Sequence, residues 1–216
     1  MREAKIAFQH IQRTGCTSII SQIVGALDAR RVVAINHPYT GTVPQHSEDD
    51  TIAKIAQGAT YDLIAGHFSS HLVPRLPVDW RWVVVVRNPI ERAWSLYGYK
   101  RRYERFAGGP EQFLEAFEHR VKNWQCIMIS GYQDAVRALS RIEARAHIAA
   151  EFENRDIVCR ELQASLRVPI STDVRLLSGI EERPPRWWRR TIEPLVEQDL
   201  ILWEGLRELN RYSTCH

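Results

Sequence analysis

Two short stretches of the chain carry residue types that can grip anions: Arg13-Thr14-Gly15-Cys16-Thr17-Ser18, and Arg87-Asn88-Pro89 with Ser95 further on. Each follows an apolar run and opens a helical pattern. Each therefore offers the unpaired N–H groups and the positive dipole end of a helix N-terminus. In the first stretch Gly15 lets backbone N–H groups approach an oxyanion, Thr14, Thr17 and Ser18 supply hydroxyls, and Arg13 supplies a cation. Two such sites in one chain predict a ligand with two separated anionic groups. A nucleotide phosphorylated at both its 5′ and 3′ positions fits that requirement. His67, between Gly66 and Phe68 at the end of a strand-like run, is the candidate general base, since a neutral imidazole can take a hydroxyl proton near neutral pH.

The elements that must position these residues are legible in the apolar spacing. Strands are expected over residues 5–8, 31–35, 61–65, 82–86 and 146–152. The four consecutive valines Val83 to Val86 read as a strand buried on both faces of a parallel sheet. Ile19, Ile20, Ile23, Val24 and Leu27 recur at helical spacing after the first loop. Asn88 is a good N-cap and Pro89 a good first helical residue, so a helix is expected over 89–103. Further helices are expected over 51–57, 111–120, 123–130, 132–144 and 155–166, with loop over 36–50. A final amphipathic helix carries Ile192, Leu195, Val196, Leu200, Trp203 and Leu206, with Thr191 as its N-cap and Pro194 in its first turn. Strands alternating with helices predict one three-layer α/β domain over 1–216, with a mainly parallel sheet and a helical C-terminal half.

Bulk properties narrow the classes. The chain has 216 residues, 44% hydrophobic and 25% charged, enough for a sizeable core. A net charge of +3 and a pI near 8.7 favour an anionic ligand only mildly, and there is no lysine-rich tail of the kind that binds nucleic acid. Cys16, Cys126, Cys159 and Cys215 have no CxxC or metal-ligand spacing, so reduced thiols and no metal are expected. No apolar run approaches the roughly 20 residues of a membrane span, and the first strand starts too early for a signal peptide. A cytoplasmic location is the expectation.

The first loop lacks the first glycine and the Lys-Ser/Thr pair of GxxxxGK[ST], and no later strand ends in an obvious Asp for magnesium. Instead, His10-Ile11-Gln12-Arg13-Thr14-Gly15-Cys16-Thr17-Ser18, Gly66-His67-Phe68, Arg87-Asn88-Pro89-Ile90-Glu91-Arg92-Ala93-Trp94-Ser95-Leu96-Tyr97 and Asn123-Trp124-Gln125 to Ser130-Gly131 occur in order. This set resembles the sulfotransferases that use 3′-phosphoadenosine 5′-phosphosulfate, in the branch with the heparan and chondroitin sulfotransferases and their bacterial relatives. Glu181-Glu182-Arg183-Pro184-Pro185 and the C-terminal helix are similar to that family's closing segment. The chain departs from the pattern at Arg13, where the family has Lys, and at Cys16, where it has a small residue. Arg is bulkier and planar, so it meets a sulfonate differently.

The resemblance implies a P-loop-like fold and residue roles. Arg13, Thr14, Gly15, Cys16, Thr17 and Ser18 would hold the 5′-phosphosulfate, with Arg13 stabilising charge on the bridging oxygen. Arg87 and Ser95 would hold the 3′-phosphate, and His67 would deprotonate the acceptor hydroxyl, on a saccharide or glycan-like substrate. No metal is implied. An ATP-dependent kinase of the P-loop class and a non-catalytic nucleotide-binding relative remain as alternatives. Trp187-Trp188-Arg189-Arg190 is a candidate substrate rim or dimer contact.

Overall fold

The computed structural model describes residues 4–37, 43–171 and 183–213. Glu181, Glu182 and Cys215 lie outside the described residues, as does part of the 36–50 loop. One sheet contains β1 (Lys5–Gln9), β2 (Val32–Ile35), β3 (Leu63–Gly66), β4 (Trp80–Val86) and β5 (Ala146–Glu151), in the order β2-β3-β1-β4-β5. Every pairing is parallel, so the expected three-layer class holds and the sheet is wholly rather than mainly parallel.

Alternation along the strands explains why both faces are apolar. Ile6, Phe8, Val83 and Val85 face a core with Ile19, Ile20 and Ile23 of α1 (Thr17–Ala26) and Val158 and Leu162 of α7 (Arg155–Leu166). Ala7, Trp82, Val84 and Val86 face the opposite core. There they meet Ile52 and Ile55 of α2 (Glu48–Ala56), Cys126 and Ile129 of α5 (Trp124–Ser130), Ile142 of α6 (Ala135–Arg145), and Leu202 and Leu206 of α9 (Glu197–Ser213). A strand covered on both sides needs no polar face, which is the reason for the valine run. A third core joins α3 (Pro89–Tyr103), α4 (Pro110–Val121) and α8 (Arg186–Ile192) through Ile90, Tyr97, Phe113 and Trp188.

Boundaries differ from the sequence reading where side-chain caps decide them. Helix α2 starts inside the expected loop because Ser47 Oγ accepts from Asp50 N at 3.0 Å. Helix α6 starts at Ala135 rather than 132, because Asp134 Oδ1 accepts from Arg137 N at 2.9 Å. The final helix is two helices. Thr191 is not an N-cap: it lies inside α8, its hydroxyl donating to Trp187 O at 3.1 Å. Pro194 sits in a 3-10 turn, Glu193–Leu195, since a prolyl ring cannot continue the hydrogen-bonding of the preceding helix.

The break before α9 is sealed reciprocally with α5. Asn123 Oδ1 accepts from Gln198 N at 3.0 Å and Asp199 N at 3.3 Å, while Asp199 accepts from Gln125 N at 3.0 Å and Cys126 N at 2.8 Å. Each helix start is satisfied by the other's side chain. Asp199 is fully buried; desolvation raises its carboxyl pKa, opposed by Arg92 and by the backbone donors. Asp199→Ala orphans two buried N–H groups and leaves Arg92 without its nearby carboxylate. A loss of about 3 kcal/mol is expected as a lower urea midpoint at unchanged slope. A midpoint matching that of the parent would dismiss the cap as a stabilising element.

Candidate active site

The C-terminal ends of β1, β3 and β4 stand side by side in the sheet, and the loops that leave them meet. Gln9, the last residue of β1, donates through Nε2 to Phe68 O at 3.0 Å and Met128 O at 2.7 Å. That amide ties the start of the first loop to the segment after His67 and to α5. Gly66 adopts φ +145, and a Cβ there would fall 1.9 Å from Ile35 O, so only glycine lets β3 pass β2 and deliver His67.

Arg13 sits in the left-handed region at φ 70. Its guanidinium crosses to α3, where Nε and Nη2 donate to Ser95 Oγ at 3.2 and 3.1 Å and the group stacks 4.9 Å from the Tyr99 ring centre. Arg87 Nη1 donates to Arg13 O at 3.4 Å, and Nη2 lies 3.5 Å from Glu91 Oε2. The backbone of Arg87 is bracketed by Gln125, whose Oε1 accepts from its N–H and whose Nε2 donates to its carbonyl, both at 2.9 Å. Asn88 caps α3, accepting from Ile90 N and Glu91 N. The structure thus brings Arg13, Arg87 and Ser95 into one cluster between the first loop and α3.

Other loop residues lie differently. Thr14 is buried and its hydroxyl donates to Ile11 O at 2.8 Å, so its proton is already engaged in the turn. The Cys16 side chain belongs to the core beside α1, and burial pushes its thiol up to about 12. Cys16 therefore offers a ligand only its backbone. Gly15 has φ +78, and an added Cβ would come 2.1 Å from the Phe152 ring. Thr17 and Ser18 form the first turn of α1, whose N-cap has no side-chain hydrogen bond. Trp188 of the suspected rim is core, while Trp187 is 46% exposed.

Similarity to solved structures bears on this architecture. A sulfotransferase from Alicyclobacillus acidocaldarius aligns with a TM-score of 0.57 at 16% identity, over 95% of this chain and 96% of that one. Mouse sulfotransferase SULT7A1, solved complexed with PAP, aligns with a TM-score of 0.53 at 13% identity, over 98% of this chain and 90% of that one. The chain has the sulfotransferase fold. No protein-family model matches it, and no curated protein matches it either. Among the described residues no helix is long and apolar enough to cross a membrane, and no group of three or more His, Cys, Asp or Glu could hold a metal ion.

Within this sulfotransferase fold, three adjacent strands each deliver a histidine. His10 follows β1, His37 lies just beyond β2, and His67 follows β3. His67 Nδ1 lies 2.6 Å from His10 O. A carbonyl only accepts, so Nδ1 carries the proton and the lone pair of neutral His67 resides on Nε2. His10 Nδ1 and His37 Nε2 are 2.9 Å apart and share one proton, and the His10 and His67 rings stack at 4.6 Å. Burial lowers the pKa of His67, aided by Arg120, whose Nη1 donates to Gln12 Oε1 at 3.2 Å. Desolvation by burial, with the neighbouring His67, His37 and Arg13, holds His10 well below its ordinary value.

The sequence reading missed His37, Arg120 and Phe152. His37 lay in the expected loop with nothing marking it as a partner of His10. Arg120 and Phe152 reach the first loop only through the packing of α4 and the end of β5. Gln125 was within a quoted motif, though its grip on the Arg87 backbone was not legible.

The histidine cluster has a pH consequence. Burial, with His67 adding to it, lowers His37 to about 4, against about 6.5 in the unfolded chain. Between those values the unfolded state binds more protons, so stability is complete above about 6.5 and falls as pH drops toward 4. The expected loss is up to about 3 kcal/mol from His37. Urea midpoints measured from pH 7 to 4 should show it, and His37→Phe should flatten the curve. Parallel curves for parent and variant would refute this assignment.

Proposed function

We propose that this chain transfers a sulfuryl group from 3′-phosphoadenosine 5′-phosphosulfate to a hydroxyl of a saccharide or glycan-like acceptor, as a single cytoplasmic domain over 1–216. The observation that carries this reading is the convergence of Arg13, Ser95 and Arg87 in one cluster, beside a loop whose His10 carbonyl holds His67 in its base-competent tautomer. The free thiols of Cys16, Cys126 and Cys159 agree with a reducing compartment. The bound PAP of SULT7A1 supports the choice of nucleotide.

The residues present fit the donor nucleotide. Arg87 Nε is buried without a hydrogen-bond partner, and the guanidiniums of Arg13 and Arg87 flank the first loop. Arg87 and Ser95 would hold the 3′-phosphate; Arg13, the N–H groups of Gly15 and Cys16, and the first turn of α1 with Thr17 and Ser18 would hold the 5′ end. The donor supplies an activated sulfuryl group on a phosphate that can leave. His67 Nε2 takes the proton of the acceptor hydroxyl, whose oxygen forms the new bond to sulfur as the bond to the phosphate oxygen breaks. Arg13 offsets the charge that grows on that leaving oxygen, which requires its guanidinium to turn from Ser95. Positioning and preset charge carry such a reaction, since no covalent bond to the protein is needed. Desolvation keeps His67 unprotonated at neutral pH and ready to act.

The decisive experiment is transfer of labelled sulfate from this donor onto a panel of saccharides and small hydroxylated compounds. Binding is checked first: 3′-phosphoadenosine 5′-phosphate should raise the melting temperature without magnesium, whereas a response to Mg-ATP alone would favour the kinase. Arg87→Ala should weaken binding of that nucleotide by more than about tenfold, since a charge-assisted contact exceeds ~1.5 kcal/mol; unchanged affinity removes Arg87 from the site. His67→Ala should lower turnover about a hundredfold or more while nucleotide affinity stays within about twofold. Equal losses in both quantities would take the proton-transfer role away from His67.

A further inference from the structure

Phe152, in the 3-10 turn after β5, gathers groups from three parts of the chain. The guanidinium carbon of Arg87 lies 4.8 Å from its ring centre, and that of Arg155, the first residue of α7, lies 4.8 Å from the same centre. The ring also closes on the first loop at Gly15, where an added Cβ would meet it at 2.1 Å. Through this ring Arg155 is packed beside Arg87 and the first loop.

The charge around this ring is unbalanced. Arg87 is only partly offset by Glu91, which is 3.5 Å away and 46% exposed, and by the more distant Glu153. Among the described residues no carboxylate lies within ion-pair distance of Arg155. Its charge reaches Arg87, Cys16 and Cys159. A guanidinium stacked on a phenyl ring keeps its N–H edge available for an acceptor. A terminal phosphate carries about −1.5 to −2 at pH 7 and three acceptor oxygens, more than one half-neutralised Arg can satisfy.

We infer that Arg155 is a further binding residue of this cluster and that, with Arg87 beside the same Phe152 ring, it selects a nucleotide bearing a terminal 3′-phosphate over the same nucleotide without one. This rests on the assignment of Arg87 to the 3′-phosphate under the proposed function. Arg155 thereby sets specificity for the donor, not the rate of transfer.

Calorimetric titration of the full chain with 3′-phosphoadenosine 5′-phosphate and with adenosine 5′-monophosphate tests it. The parent should prefer the bisphosphate. Arg155→Gln should lower its affinity at least about fivefold, leave that for the monophosphate within about twofold, and melt at the parent's temperature; Arg155→Lys should restore part of the loss. A parent that binds no bisphosphate overturns both the proposed function and this inference. A parent that prefers the bisphosphate, with the preference intact in Arg155→Gln, overturns the inference alone. Equal weakening of both nucleotides, or a lowered melting temperature with both affinities unchanged, also overturns it by making Arg155 structural.

Discussion

Guanidiniums crowd the C-terminal edge of this sheet, and the surrounding structure is arranged to hold like charges there. Arg13 rests on Ser95 Oγ and the Tyr99 face; Arg87 is held by Glu91, by Arg13 O and by the Phe152 ring. Each of these contacts is neutral or only partly ionic. Desolvation consequently lowers the Arg87 pKa, though a guanidinium stays charged at neutral pH. A cluster with preset positive charge is suited to anions, and the proposed sulfuryl transfer asks for little else from a protein.

Positioning of that cluster depends on contacts far apart in sequence. Gln125 brackets the Arg87 backbone, Asp199 caps the helix that carries Gln125, and Asn123 caps the helix that carries Asp199. The C-terminal helix is thus tied to the second anion stretch through a few hydrogen bonds between buried groups. Arg92 lies beneath: it is fully buried, donates to Arg120 O and Val121 O, and is lowered to about 10 by desolvation. On the other side of the cluster, Gly66 permits the close approach of β3 to β2 that brings His67 beside His10.

Legibility in the sequence followed the range of the interactions. Helix α3 matched its expected span because its start is local: Asn88 and Pro89 are adjacent, and the cap bonds reach two and three residues ahead. The valine run announced β4 because burial on both faces leaves one pattern available. The end of the chain misled because Pro194 was compatible with a first turn, and only Asn123, more than 70 residues away, shows that α9 begins afresh. In the candidate site, residue types and spacing singled out Arg13, Arg87, Ser95 and His67. They gave no hint that Arg13 would reach Ser95, that the Thr14 hydroxyl would be engaged, or that Cys16 would turn into the core.

By itself the sequence determined the alternation of strands and helices, the parallel sheet, and two helix starts rich in anion-binding groups. These are properties of spacing, propensity and short-range capping. Tertiary structure alone decided which charges share a surface, which histidine holds which tautomer, and which hydroxyls keep a free proton. Those depend on distances between segments far apart in the chain, 119 residues in the case of Gln9 and Met128, set by the strand order and by the packing of α3, α5 and α9 at the sheet's C-terminal edge. No local pattern encodes such distances, because many different residues could close the same gap.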